Sequence, residues 1–332
     1  MREVSKQVGQ LFIAGYPGEA PSEAFLKFVA DEHIGGVILF GENCPTHLAA
    51  RQHIETIRAR CGNNAPLVAI DQEGGRVCRL RGAPVEYRAA SEYGRDKTPA
   101  RFAEQYSRAA VYMEALGINI NLAPVADISL DPENSCLKDR CFGETAEQVA
   151  QFVESAVTVS RTAGLLSCLK HFPGLGAAKN DPHKSTSEAS YDRILWEQRE
   201  RIPFAAGVTA GCDLIMTTHV RVPAFDKVIA TGSERIVAEL IRESLGFEGM
   251  VITDDLCMNG AAELGDFGER TVAAFNAGHD LLLFGQNLDA SMQAFDHFRK
   301  AVERQEIDPA RVQRSLNRLA GIKIKLGRPV LF

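Results

Sequence analysis

Eight short apolar runs, rich in β-branched residues, recur along the chain: QLFIAGY (10–16), GGVILF (35–40), PLVAID (66–71), INLAPVADI (120–128), LLSCLKHF (165–172), DLIMTTHV (213–220), MVITDD (250–255) and DLLLFG (280–285). Each is continuous rather than alternating, the pattern expected of strands buried on both faces. Between them lie stretches with apolar residues at helical spacing, at 45–62, 98–117, 146–164 and 233–247. The third of these, AEQVAQFVESAVTVSRTAG, carries a single apolar stripe and ends at a glycine suited to a helix C-terminus. A last such stretch, 309–327, is expected to complete an outer ring of helices. Buried strands with helices between most of them predict an α/β fold, a (β/α)8 TIM-type barrel. A doubly wound open sheet shares that alternation, and a strand count does not exclude it. The dinucleotide fingerprint of such sheets is missing, since no G-x-G-x-x-G follows the first run. Without a Pro/Gly/Ser-rich linker or an internal repeat, residues 1–332 read as a single domain.

Composition narrows the partners. With 45% hydrophobic and 24% charged residues the chain has material for a sizeable core. A formal charge of −6, with no long basic run, argues against a nucleic-acid partner. The first residues mix charges into their apolar stretch and lack the pattern of a secretory leader, and no window is long and apolar enough to span a membrane. A cytoplasmic location is the expectation. The eight cysteines are scattered, with no Cys-x-x-Cys pair. Cys136 and Cys141 lie near each other but lack a second Cys/His pair at zinc-site spacing, so no metal is expected.

In a parallel barrel the chemistry gathers at the C-terminal ends of the strands. The third run ends in Asp71, followed by Gln-Glu-Gly-Gly-Arg. The fourth ends near Asp127, the fifth in Lys170-His171, the sixth at His219 and the seventh in Asp254-Asp255. Ionisable groups buried without partners are costly, so such a collection pairs internally or serves a ligand. After Lys170-His171 comes an excursion with two glycines and two prolines that carries Asp181-x-His183. A carboxylate beside an imidazole can hold the ring's tautomer and leave the other nitrogen for proton transfer. Asp254 interrupts an apolar strand, and a carboxylate at such a position is a candidate nucleophile, of the kind that can attack an anomeric carbon. Asp255 is the rival, and in an extended segment the two point to opposite sides. Gly74-Gly75 reads as a tight turn beside Asp71 rather than a phosphate cradle, and Trp196 and Phe172 as packing.

These segments, in this order, resemble glycoside hydrolase family 3, and within it the single-domain β-N-acetylhexosaminidases. The similarity runs from GGVILF through AIDQEGGRVCRL (69–80), GININLAPVADI (117–128), DRCFG (139–143), KHFPGLG (170–176) and VITDDLCM (251–258). The resemblance implies Asp254 as nucleophile, His183 as general acid/base and Asp181 as its partner. It further implies Asp71, Arg79, Arg140, Lys170 and His171 as ligands of sugar hydroxyls. Family members of the β-glucosidase type take their acid from a second domain, which this length does not accommodate, whereas an Asp-x-His loop supplies one within the barrel. The chain departs from the family at Leu175, where a second histidine is usual, at Pro182, where serine is commoner, and at APVEYRAAS (83–91).

The function expected is a retaining exo-β-N-acetylglucosaminidase acting without a cofactor on small saccharides or muropeptides, in peptidoglycan recycling. A phosphorylase or β-glucosidase of the same family is the enzymatic alternative. A sugar-binding barrel without turnover is the alternative of another class.

Overall fold

The computed structural model describes residues 5, 7–131, 134–178 and 187–328. Eight parallel strands form the centre: β1 (Phe12–Ala14), β2 (Gly36–Leu39), β3 (Leu67–Ile70), β4 (Ile120–Asn121), β5 (Leu166–Phe172), β6 (Leu214–Thr217), β7 (Met250–Thr253) and β8 (Leu282–Phe284). Their order is β7-β6-β5-β4-β3-β2-β1-β8. A parallel bridge between Ile252 and Leu281 joins the two ends and closes the barrel. All eight apolar runs contribute one strand each, so the open-sheet alternative falls away.

A helix follows every strand: α1 (Glu23–Asp31), α2 (His47–Cys61), α3 (Pro99–Leu116), α4 (Ala146–Thr162), α5 (Arg201–Ala210), α6 (Ile236–Ser244), α7 (Phe267–Asn276) and α8 (Leu288–Glu303). Local chemistry sets their starts. Ser22, Thr46, Thr145 and Asn287 each accept an N–H of the first turn of the helix they precede. Asp266 and Glu269 form a reciprocal capping box on α7. The expected helix at 233–247 is wound as a π-helix at Ile236–Ser244, burying Ile236, Val237, Leu240 and Ile241.

Apolar side chains divide into two layers. Phe12, Val37, Val68, Leu169, Ile215, Val251 and Leu282 face outward into the layer beneath the helices. Ile13, Ile38, Ala69, Cys168, Met216, Ile252 and Leu283 fill the barrel itself. Alternation is therefore present, but both faces are apolar, which is why the sequence reads as continuous runs.

The last helix, α9 (Pro309–Lys325), does not join the outer ring as its periodicity suggested. Leu319 packs with the barrel-filling side chains, with Ile322 and Leu326 beside it. Polar contacts pin α9 to the residues that enter the strands. Lys323 bonds Gln10 ahead of β1, and Lys325 pairs with Asp213 ahead of β6. Arg311 and Arg318 lie 3.3 and 3.2 Å from Asp280, ahead of β8. An amphipathic stripe specifies burial against something apolar, and here that surface is the open N-terminal end of the barrel. Among the described residues no helix is long and apolar enough to cross a membrane.

Burial in this plug depresses Lys323 from 10.5 to about 8, with Arg328 adding to the effect. A lysine held below its ordinary value costs stability as pH falls through the window between the two, because the unfolded chain protonates first. Relative to Lys323→Met, the wild type is expected to lose stability as pH falls from about 10.5 to about 8, with a constant difference below that. Urea denaturation midpoints of both proteins across this range are the check.

Candidate active site

The inward parity of the strands, carried past their C-terminal ends, places the polar groups. Along β3, Leu67 and Ala69 point into the barrel and the next position of that parity is Asp71. Along β5 the series Leu166, Cys168 reaches Lys170, and along β7 Met250, Ile252 reaches Asp254. These side chains meet over an apolar floor of Ile38, Leu122, Met216 and Leu283, in a cavity of about 440 Å3. Asp71, Arg79, Arg140, Lys170, His171 and Asp254 all line it. The remaining expected site residues, Asp181 and His183, lie outside the described residues, as does Pro182.

A chain of opposite charges crosses the cavity. Lys170 Nζ lies 2.6 Å from Asp71 and 2.6 Å from Glu73. Glu73 receives two N–H groups of Arg140, both at 2.8 Å. Arg140 also donates to His171 Nε2 at 3.2 Å, and since a guanidinium has no acceptor, His171 Nδ1 carries the proton given to Asp127 at 2.6 Å. Asp127 further accepts the backbone N–H of His171 at 3.1 Å and of Leu175 at 2.6 Å. Asp127 thus stands behind the cavity, orienting a residue that lines it. Leu175, where the family usually has histidine, is a buried wall residue.

Glu73 was not singled out in the sequence, although it lies two residues beyond Asp71 and so shares its side. It is 4% exposed. Burial alone would raise its carboxyl, but Arg140 and Lys170 hold it well below the usual range. Asp71 and Glu73 in turn raise Lys170, against the burial and the nearby Arg140 that would lower it. Each ion is stable here only because the others are present.

The hairpin Gln72–Gly74/Val77–Cys78 presents Glu73, Arg76 and Arg79. Its brace is the buried Gln72 side chain, which accepts N–H groups of Arg79 at 2.8 Å and Leu80 at 3.1 Å and donates to the Leu80 carbonyl at 2.9 Å. Gly74 and Gly75 turn the chain at φ +87° and +56°, and a Cβ on Gly74 would meet the Arg88 carbonyl oxygen at 2.4 Å. The expected tight turn is present, and only glycine fits it.

Asp254 and Asp255 both line the cavity but differ in their commitments. Asp255 Oδ1 accepts the backbone N–H of Cys257 and of Gly285, each at 2.9 Å. Burial, with the adjacent Asp254 charge, pushes the Asp255 carboxyl up. Asp254 has the inward parity, and its Oδ1 accepts the Asp255 N–H at 2.8 Å. His219 stays in the core, between the Thr231 hydroxyl at 2.8 Å and the Asp255 carbonyl at 2.9 Å, which holds the turn after β7 rather than facing the cavity. Trp196 is buried and donates to the carbonyl of Pro173, the residue that follows β5, at 3.0 Å, in keeping with a packing role.

Neutralising Glu73 leaves Arg140 and Lys170 side by side without their shared anion. Glu73→Gln is expected to cost about 3–5 kcal/mol at neutral pH by urea denaturation. Because the Glu73 carboxyl is depressed, its contribution is complete above its ordinary 4.5 and is lost as pH falls below it, so the wild-type advantage shrinks on acidification.

Comparisons with known proteins bear on the family and the fold. A family model described as "Glycosyl hydrolase family 3 N terminal domain" matches residues 3–322. A β-hexosaminidase of Vibrio cholerae serotype O1 is 32% identical over 86% of this chain and 85% of its own length. An uncharacterized secreted glycosyl hydrolase of Arthroderma benhamiae is 32% identical over 98% of this chain and 94% of its own. A β-N-acetylhexosaminidase from Beutenbergia cavernae superposes with a TM-score of 0.88 at 29% identity, covering 96% of this chain and 98% of that one. The family 3 β-N-acetylglucosaminidase of Paenibacillus sp. str. FPU-7 superposes with a TM-score of 0.93 at 32% identity, and 97% of this chain spans 62% of that larger protein. The barrel, its strand-end ion chain and these relatives lead to one assignment: the chain belongs to glycosyl hydrolase family 3.

Proposed function

We propose that this protein is a retaining exo-β-N-acetylglucosaminidase in which Asp254 is the nucleophile. The observation that carries the reading is the division of labour between neighbouring carboxylates. Asp255 is tied to the backbone of two loops, while Asp254 has the parity that faces the cavity. A carboxylate so placed can attack the anomeric carbon, displace the leaving oxygen and form a glycosyl ester that water then cleaves with net retention. His183, oriented by Asp181, is assigned the proton to the leaving group and its recovery from water, on the family resemblance. Asp71, Arg79, Arg140, Lys170 and His171 are assigned the sugar hydroxyls. Their mutual salt bridges fix donors and acceptors before a substrate arrives, so little reorganisation accompanies binding.

Two features support action at a chain end. The cavity floor is apolar side chain, backed by the α9 plug, so a saccharide enters from one side only. Its volume of about 440 Å3 is in the range of small-molecule sites rather than of an open polymer groove. Relatives named β-hexosaminidase support an N-acetylhexosamine at the reacting position. A muropeptide or chitin-type saccharide as the natural substrate, and cytoplasmic peptidoglycan recycling as the setting, complete the proposal.

Asp254→Asn is expected to lower kcat on 4-nitrophenyl β-N-acetylglucosaminide by roughly 10³-fold or more, with the fold retained. Asp255→Asn is expected to act chiefly through thermal stability. Loss confined to the Asp255 variant would reverse the assignment. Release of sugar 1-phosphate on adding phosphate would mark the phosphorylase alternative, and absence of any turnover the binding-only one.

A further inference from the structure

A second cleft, of about 410 Å3, adjoins the first and shares two of its walls, Arg76 and Arg79. Arg81 and the start of α2 with His47 complete it, and among the described residues that line it none is a carboxylate. Its positive charge is poorly matched. Arg76 donates to the backbone carbonyls of Lys138, Ser135 and Cys136 at 2.9, 3.0 and 2.7 Å, partners that carry no net charge. Arg79 stands 3.5 Å from Asp71, whose other oxygen is held by Lys170 at 2.6 Å. Arg79 Nε is buried and has no hydrogen-bond partner among the described residues, a donor for which an acceptor would be favourable. Arg81 meets Glu86 at 3.3 Å with both side chains largely in solvent, where such a pair is weak.

The helix adds to the field. α2 runs for 15 residues from its Thr46 cap, and its first turn opens on the cleft with its positive end. A larger groove around Arg88 and Arg108 differs in kind, because Glu86 and Glu92 line it too. Thiol chemistry does not suit the cleft either, since burial pushes the Cys44 thiol up to about 12, against the pull of Arg79.

We propose that this cleft is a subsite for an anionic group, a carboxylate or a sulfate or phosphate ester, carried by the saccharide bound in the neighbouring cavity. Arg79 is the hinge between the two, with Asp71 and the sugar site on one side and the cleft on the other. Guanidinium groups bind such oxyanions through paired N–H donors, so the cleft selects charged saccharides over neutral ones. The proposal rests on the glycosidase reading, and its test separates the two.

Wild type and Arg81→Gln are compared on three glycosides at low ionic strength. These are 4-nitrophenyl β-N-acetylglucosaminide, its 6-sulfate, and a β-N-acetylglucosaminide whose nitrophenyl group bears a carboxylate. At least one anionic probe is expected to show a KM about tenfold below the neutral one. Arg81→Gln is expected to raise that KM severalfold, with kcat and the neutral KM unchanged. Preference for the sulfate places the charge on the sugar, and preference for the carboxylate places it on the leaving group. Equal KM values, or a rise shared by the neutral glycoside, overturn the proposal. Titration with inorganic sulfate against chloride at matched ionic strength provides a readout that needs no turnover. A saturable rise in melting temperature, lost in Arg81→Gln, is expected, and its absence overturns the proposal. Failure of wild type to cleave the neutral glycoside would count against the glycosidase reading, while the sulfate titration still decides whether the cleft takes an anion.

Discussion

Closure of the barrel makes the two-residue repeat of each strand an absolute instruction. Once β1 and β7 are joined through β8, every second side chain must enter a confined interior, and the remainder must enter the layer beneath the helices. Neither place tolerates unpaired charge, so both parities are apolar along the strands. Only at the C-terminal rim, where the interior opens, can the inward series change character, and there it becomes Asp71, Lys170 and Asp254. The site is a continuation of the core in different chemistry.

What keeps that rim from flying apart is reciprocity. Asp71, Lys170, Glu73 and Arg140 alternate in sign along their contacts, and His171 with Asp127 extends the chain into the wall. Burial penalises each ion separately, yet the set carries little net charge. Such an arrangement holds donors and acceptors at set distances before any ligand is present, at the expense of the stability that an apolar rim would confer.

The barrel was legible because continuous apolar runs separated by helical periods are compatible with few architectures. The cavity-lining Asp71, Lys170, His171 and Asp254 were legible because they close those runs, whereas Arg79 and Arg140 lie well beyond them and were reached only through the family resemblance. Glu73 escaped notice since its neighbour Asp71 accounted for the acidic character of DQEGGR, although strand parity gives both the same side. Gln72 was hidden for a different physical reason. Its role as the brace of the hairpin depends on carbonyl and N–H groups of Leu80 and Val85, a contact set that no spacing rule encodes. The placement of α9 was misread because an apolar stripe reports that a helix is buried, and is silent about what buries it. Its charged residues carried the missing signal, for Arg311, Arg318, Lys323 and Lys325 match polar groups gathered at one end of the barrel.

That plug has a consequence for how the molecule assembles. The bond between Lys323 and Gln10 spans 313 positions of sequence, so the barrel's interior stays unsealed until all the strands between them have been synthesised. Until then the lower layer of Leu67, Leu166, Leu214 and Met250 faces water. The nascent chain therefore passes through a long interval with an uncovered apolar opening, during which ring closure and sealing compete with association between chains.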